Sequence, residues 1–111
     1  MTIGEWLAAR TPAPPEALTQ RLQSVLSDAY ELDSGECASA CLSAAERLVE
    51  GLIRGNYTSR ESALDLLTAD ALVTYAFEAA SADPATLPAA ARAAMARIGA
   101  LAVLEPARVT P

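Results

Sequence analysis

Apolar residues recur at helical spacing along most of this chain, in segments separated by proline, glycine and small polar residues. In the clearest segment, Leu18, Leu22, Val25 and Ala29 are spaced to lie on one face of an α-helix. The pattern predicts a short helix over residues 2–10, then four longer helices over about 16–30, 36–54, 58–80 and 88–104. The first break, the proline-rich stretch 11–15, is predicted to form a stiff hinge.

The composition favours helices around a single core. Alanine, the residue with the highest helix propensity, is abundant, whereas β-branched residues are scarce. A chain of 111 residues can bury one core without a metal or disulfide. We therefore expect one all-α domain over residues 1–111, with an antiparallel four-helix bundle over 16–104 and a short N-terminal helix. Residues 105–111 are expected to form a loose tail.

The N-terminal helix has a clear start signal and an apolar face. Thr2 and Glu5 have the spacing of a capping box, and Ile3, Trp6 and Leu7 share one side of the helix that follows. These three apolar residues are candidate interaction residues. The helix is expected either to dock on a partner or a second copy, or to pack on its own bundle.

The fourth helix has polar residues on two nearly opposite sides. The polar residues of its second half are rotated by about half a turn from those of its first half. Most of the remaining circumference is apolar, which is typical of a helix surrounded by neighbours. We therefore expect this helix to be central. The polar sets are Glu61, Asp65 and Thr68, then Asp70, Thr74, Glu78 and Ser81.

The last helix is rich in alanine, which allows a neighbouring helix to come close. Its apolar residues recur at helical spacing and are predicted to face the bundle. This predicted inner face consists of Ala91, Met95, Ile98, Leu101 and Ala102.

Composition and charge exclude several functions. The chain has 14 acidic and 8 basic residues, a net charge of −6, and neither histidine nor lysine. Schiff-base chemistry, a histidine general base, histidine metal ligands and a Ser-His-Asp triad are therefore excluded. The scattered arginines lack the clustering that nucleic-acid binding needs. We expect no catalytic residues, no metal, no cofactor and no nucleic-acid partner.

The first residues lack the basic and apolar regions of a signal peptide. The longest apolar stretch, residues 93–104, contains Arg97 and is too short to cross a bilayer. We therefore expect a cytoplasmic protein without a membrane partner, and reduced cysteines.

Two sets of residues are candidates for chemistry. Asp70, Thr74, Tyr75 and Cys41 are predicted to surround a small apolar or cationic ligand, and a hydrolase or transferase site on Asp70 and Thr74 is a further hypothesis. The structural alternative for Asp70 is an ion pair with Arg47 or Arg54, or the edge of an open surface.

Cys37 and Cys41 are four residues apart, so their sulfurs share a helix face. They are expected to pack in the core as small apolar residues, with a soft-metal or redox pair as the alternative. The chain offers only Met1 and Met95 as further soft ligands.

The leading hypothesis for function is a non-catalytic interaction module, an adaptor, regulator or accessory subunit that binds a protein partner or forms a homodimer. The alternative is the small-ligand site near Asp70 and Thr74. An acidic decoy for a nucleic-acid site is a weaker hypothesis, because the acidic residues are interleaved with arginines.

Overall fold

The structure, a computed structural model, describes residues 1–55, 59–82, 85 and 87–103. Within these residues the chain forms five α-helices and no β-strand, which confirms the all-α prediction. The antiparallel four-helix arrangement stays a prediction, and the predicted tail 105–111 lies outside the described residues. The helices are α1 (Ile3–Ala8), α2 (Glu16–Val25), α3 (Cys37–Arg54), α4 (Arg60–Ala80) and α5 (Leu87–Ala100), with 3-10 turns at Ser34–Glu36 and Leu101–Val103.

The first turn of α1 is held both by its own cap and by a distant loop. Thr2 Oγ1 accepts from the Glu5 amide at 3.1 Å, and Glu5 Oε1 accepts from the Thr2 amide at 3.0 Å, so the predicted capping box is confirmed. The amide of Ile3 donates to the Leu32 carbonyl at 2.9 Å, and the Gly4 amide donates to the Tyr30 carbonyl at 3.1 Å. The first backbone N–H groups of a helix have no acceptor within the helix itself, and in α1 these hydrogen bonds supply one.

The predicted extension of α2 to residue 30 is wrong, because α2 ends at Val25. Residues 26–32 form successive turns, in which the Ala29 amide donates to Leu26 and the Leu32 amide donates to Ala29. These turns leave the carbonyls of Tyr30 and Leu32 free to accept from α1. The apolar periodicity continues into the turns because Leu26 is still buried, so it conceals the end of the helix.

Helices α3 and α4 make the most extensive contact among the described elements, and α4 also contacts α2 and α5. The central position predicted for α4 is therefore confirmed. Arg21 of α2 donates to Asp65 of α4 at 2.7 Å, which joins these two helices by a half-buried ion pair. The buried residues of the α3–α4 pair are mostly small: Cys37, Cys41, Leu42, Ala44, Ala45, Thr68, Ala69, Leu72 and Ala76.

The inner face predicted for α5 is wrong at Met95 and Ala102, which are exposed, whereas Ala91 and Leu101 of that face are half-buried. Met95 is 70% exposed, whereas Ala94, one position earlier, is buried. The physical reason is an ion pair on the side facing α3: Arg97 pairs with Glu46 and donates to Ser43 Oγ at 3.2 Å. Because Ala94 and Arg97 lie on the same helix face, this pairing rotates Met95 towards solvent.

We expect Gly4→Ala to destabilise the fold by about 1–3 kcal/mol, because a Cβ at this position would lie 2.8 Å from Cδ2 of Tyr30 and overpack the α1–loop contact. Gly51→Ala is the matched control. No atom lies within 4 Å of a Cβ placed at Gly51 on α3, so this change is expected to stabilise by about 0.5–1 kcal/mol. Urea unfolding followed by circular dichroism measures both. Equal effects of the two substitutions would contradict the close packing of Gly4 on Tyr30.

Candidate functional site

Helix α1 is attached to α4 through an aromatic and cationic cluster of Trp6, Arg10, Tyr75 and Glu78. The rings of Trp6 and Tyr75 meet edge to face, with centroids 6.2 Å apart and an interplanar angle of 89°. The Arg10 guanidinium lies 4.0 Å from the centroid of the Trp6 ring. Its Nε donates to the Trp6 carbonyl at 3.1 Å, and its Nη1 lies 3.9 Å from Glu78 Oε2. The cluster therefore fixes the end of α1 against α4.

The three predicted interaction residues lie in the contact of α1 with its own chain. Ile3 is fully buried, and Trp6 and Leu7 are half-buried against the core. In this arrangement Ile3 offers no surface to a partner. Contact of Trp6 or Leu7 with a second protein stays a prediction.

The four predicted ligand-binding residues do not surround one cavity. Asp70 is exposed and lines a groove formed by α3, α4 and the α5 end of the chain, whereas Thr74 and Tyr75 line a separate cavity beside Arg10. Thr74 Oγ1 donates to the backbone carbonyl of Asp70 at 3.0 Å, which uses its hydroxyl proton within the helix. Cys41 is fully buried in the core.

The ion pair suggested for Asp70 is not formed. Arg54 pairs with Glu50 on its own helix at 3.3 Å, and Arg47 donates to the Val25 carbonyl at 3.4 Å. The structure therefore places Asp70 at the edge of an open surface, which was the other structural alternative.

Cys37 and Cys41 form a buried pair of thiols. Both residues are fully buried and their sulfur atoms are 3.8 Å apart. The hydrogen bond with Cys37, together with burial, raises the pKa of the Cys41 thiol. No group of three or more Cys, Asp or Glu residues is placed to hold a metal ion within the described part of the chain. The pair packs as part of the apolar core.

Exposed apolar surface lies on α4 and α5. Leu66 is 62% exposed and Leu67 is 60% exposed, although they lie in the central helix. Leu66 and Ile98 lie in the wall of the same groove of about 230 Å³, here named the α4–α5 groove. Its lining residues are Ala45, Glu46, Val49, Leu66, Ala69, Asp70, Val73, Ile98 and Leu101.

One sequence signal pointed to this surface. The half-turn offset between the polar sets of α4 means that apolar residues occupy more of its circumference than neighbouring helices cover. The prediction of a central α4 assumed that neighbouring helices bury all of these apolar residues. In the structure α4 contacts α2, α3 and α5, yet the side chains of Leu66 and Leu67 are more than half exposed.

None of the helices in the described residues has both the length and the apolar character needed to cross a membrane. The chain matches no family model, and comparison with curated proteins and with solved structures finds no similar protein.

We expect the two thiols to be unreactive in the folded protein, because a thiol reagent must reach a sulfur atom and both sulfurs are buried. Ellman's reagent added to native protein should release almost no thionitrobenzoate over minutes, and protein in concentrated urea should release two equivalents. The melting temperature should not change on addition of Zn²⁺, because two sulfurs do not complete a tetrahedral site. Rapid reaction of either thiol under native conditions, or a rise in melting temperature with Zn²⁺, would contradict the packing interpretation.

Proposed function

We propose that this protein is a non-catalytic interaction module whose partner is a protein helix bound in the α4–α5 groove. The observation that carries this proposal is the exposure of large apolar side chains in the wall of one groove, Leu66 of α4 and Ile98 of α5. Single exposed apolar residues are ordinary, but a contiguous group around a groove is typical of a protein-binding surface.

The lining of the groove favours an amphipathic helix as the ligand. Val49, Leu66, Val73 and Ile98 provide an apolar floor and walls, and the apolar face of a helix binds to such surfaces through residues one turn apart. Fully burying a leucine side chain contributes about 1.5–3 kcal/mol, so a few such residues supply most of the affinity.

The charges around the groove favour a basic partner over a second copy. Glu46 is paired with Arg97, but the exposed carboxylate of Asp70 has no ion pair within the described residues. The whole chain has a net charge of −6, which opposes close approach of two copies. A helix with an arginine or lysine beside its apolar face would meet Asp70 at the rim of the groove.

The test uses two synthetic amphipathic helical peptides of equal length, one of leucine and arginine and the other of leucine and glutamate. We expect the Leu/Arg peptide to shift the amide resonances of Val49, Leu66 and Val73 in ¹⁵N-labelled protein, and the Leu/Glu peptide to bind more weakly. Leu66→Ser should weaken Leu/Arg binding by roughly tenfold or more, because one buried leucine contact is lost.

Leu32→Ser is the matched control, because Leu32 is also an exposed leucine but does not line the groove. It should leave the affinity for the peptide unchanged. Equal weakening by both substitutions, or shifts spread evenly over the acidic surface, would contradict the proposed site. Sedimentation that shows wild-type dimers, abolished by Leu66→Ser, would overturn the choice of a basic partner and identify a second copy as the occupant.

A further inference from the structure

A second cavity, of about 230 Å³, lies between α1, the proline-rich segment, α2 and α4. Leu7, Pro14 and Leu22 contribute apolar surface to it, and Arg10, Tyr30 and Tyr75 contribute polar groups. A mainly apolar cavity with a few converging polar groups is the usual form of a small-molecule site. It shares no lining residue with the α4–α5 groove, so it is independent of the proposed protein-binding surface.

The residues that line this cavity carry a positive charge, whereas the protein as a whole is negative. The chain has 14 acidic residues, yet none of the residues that line the cavity is Asp or Glu. Arg10 is the one charged residue in its wall. The cavity therefore favours an anion in a protein whose net charge is −6.

The Arg10 guanidinium is held in place by the protein itself. Its Nε donates to the Trp6 carbonyl, and its central carbon lies 4.0 Å from the centroid of the Trp6 ring. Arg10 lines both this cavity and the neighbouring one, and its ionic contact, Glu78 at 3.9 Å, lines only the neighbouring one. Nη2 makes no hydrogen bond to any described residue. A guanidinium that is held in position and still has unused N–H donors is suited to bind a carboxylate.

Two tyrosine hydroxyls add neutral donors. Neither the Tyr30 nor the Tyr75 hydroxyl has a hydrogen-bond partner within the described part of the chain. A tyrosine hydroxyl keeps its proton at neutral pH, and burial raises the pKa of both tyrosines further. Each can therefore donate a hydrogen bond to a bound anion.

We propose that this cavity binds a small organic carboxylate, with the carboxylate on Arg10 and the tyrosine hydroxyls and an apolar body against Leu7 and Leu22. The size limits the ligand. A cavity of about 150 Å³ holds a benzene molecule, and drug-sized ligands need roughly 300–1,000 Å³. The volume here suits a single ring or a short branched chain that bears one carboxylate.

The test compares sodium benzoate with benzamide, which has nearly the same shape but no charge, by NMR titration of the intact ¹⁵N-labelled protein. We expect benzoate to shift the amide resonances of Gly4, Leu7 and Leu22 and to bind at least tenfold more tightly than benzamide. Arg10→Gln should weaken benzoate binding at least tenfold, because a charge-assisted hydrogen bond is lost. Arg92→Gln is the matched control, since Arg92 is an exposed arginine outside the cavity, and it should not change the affinity.

Tyr75→Phe keeps the ring beside Trp6 and removes only the hydroxyl, so it tests the cavity even if Arg10→Gln fails to fold. It should weaken benzoate binding roughly three- to tenfold, with an unchanged circular dichroism spectrum. Equal affinities for benzoate and benzamide would overturn the proposal. So would equal effects of Arg10→Gln and Arg92→Gln, resonance shifts confined to other parts of the protein, or a folded Tyr75→Phe variant with wild-type affinity.

Discussion

The close packing of α3 on α4 through small side chains is the constraint on which the rest of the structure depends. Alanine, cysteine and threonine occupy most of the buried positions of this pair, with Leu42 and Leu72 as the large exceptions. Thr68 is tolerated there because its hydroxyl donates to the Leu64 carbonyl at 2.7 Å, so the polar group of this side chain is satisfied. Small residues let two helix backbones approach closely, and they also limit how many large side chains the interface can bury.

The large apolar residues are consequently distributed around the α3–α4 pair. Ile3, Leu22 and Leu26 cover one side from α1, α2 and the turns that follow α2. On the other side α5 presents mainly alanine, and its orientation is set by the Arg97–Glu46 ion pair rather than by large apolar side chains. Alanine covers little area, so grooves remain on both sides of α5. The proposed partner-binding surface exists because the small side chains of α5 cover only part of the α3–α4 pair.

Helix α1, in contrast, covers one side of a cavity that it forms with the proline-rich segment, α2 and α4. Hydrogen bonds from Ile3 and Gly4 to the loop before α3 fix the start of α1, and the Trp6–Arg10 cluster fixes its end on α4. The cavity behind α1 is bounded by both attachments. Helix α1 thus forms one wall of this cavity, and Arg10, two residues after its end, is the one charged residue among those that line it.

The sequence by itself determined the helical class, the positions of α1, α3 and α4, the capping box of Thr2 and Glu5, and the burial of the cysteine pair. These features follow from apolar periodicity and helix capping, which depend only on residues close together in the sequence. Tertiary structure decided the end of α2 and the rotation of α5. Each depends on a contact between distant segments, which no local pattern encodes. The Arg10 cavity was beyond sequence reasoning for the same reason, because its walls come from three helices and a proline-rich segment that only the fold brings together.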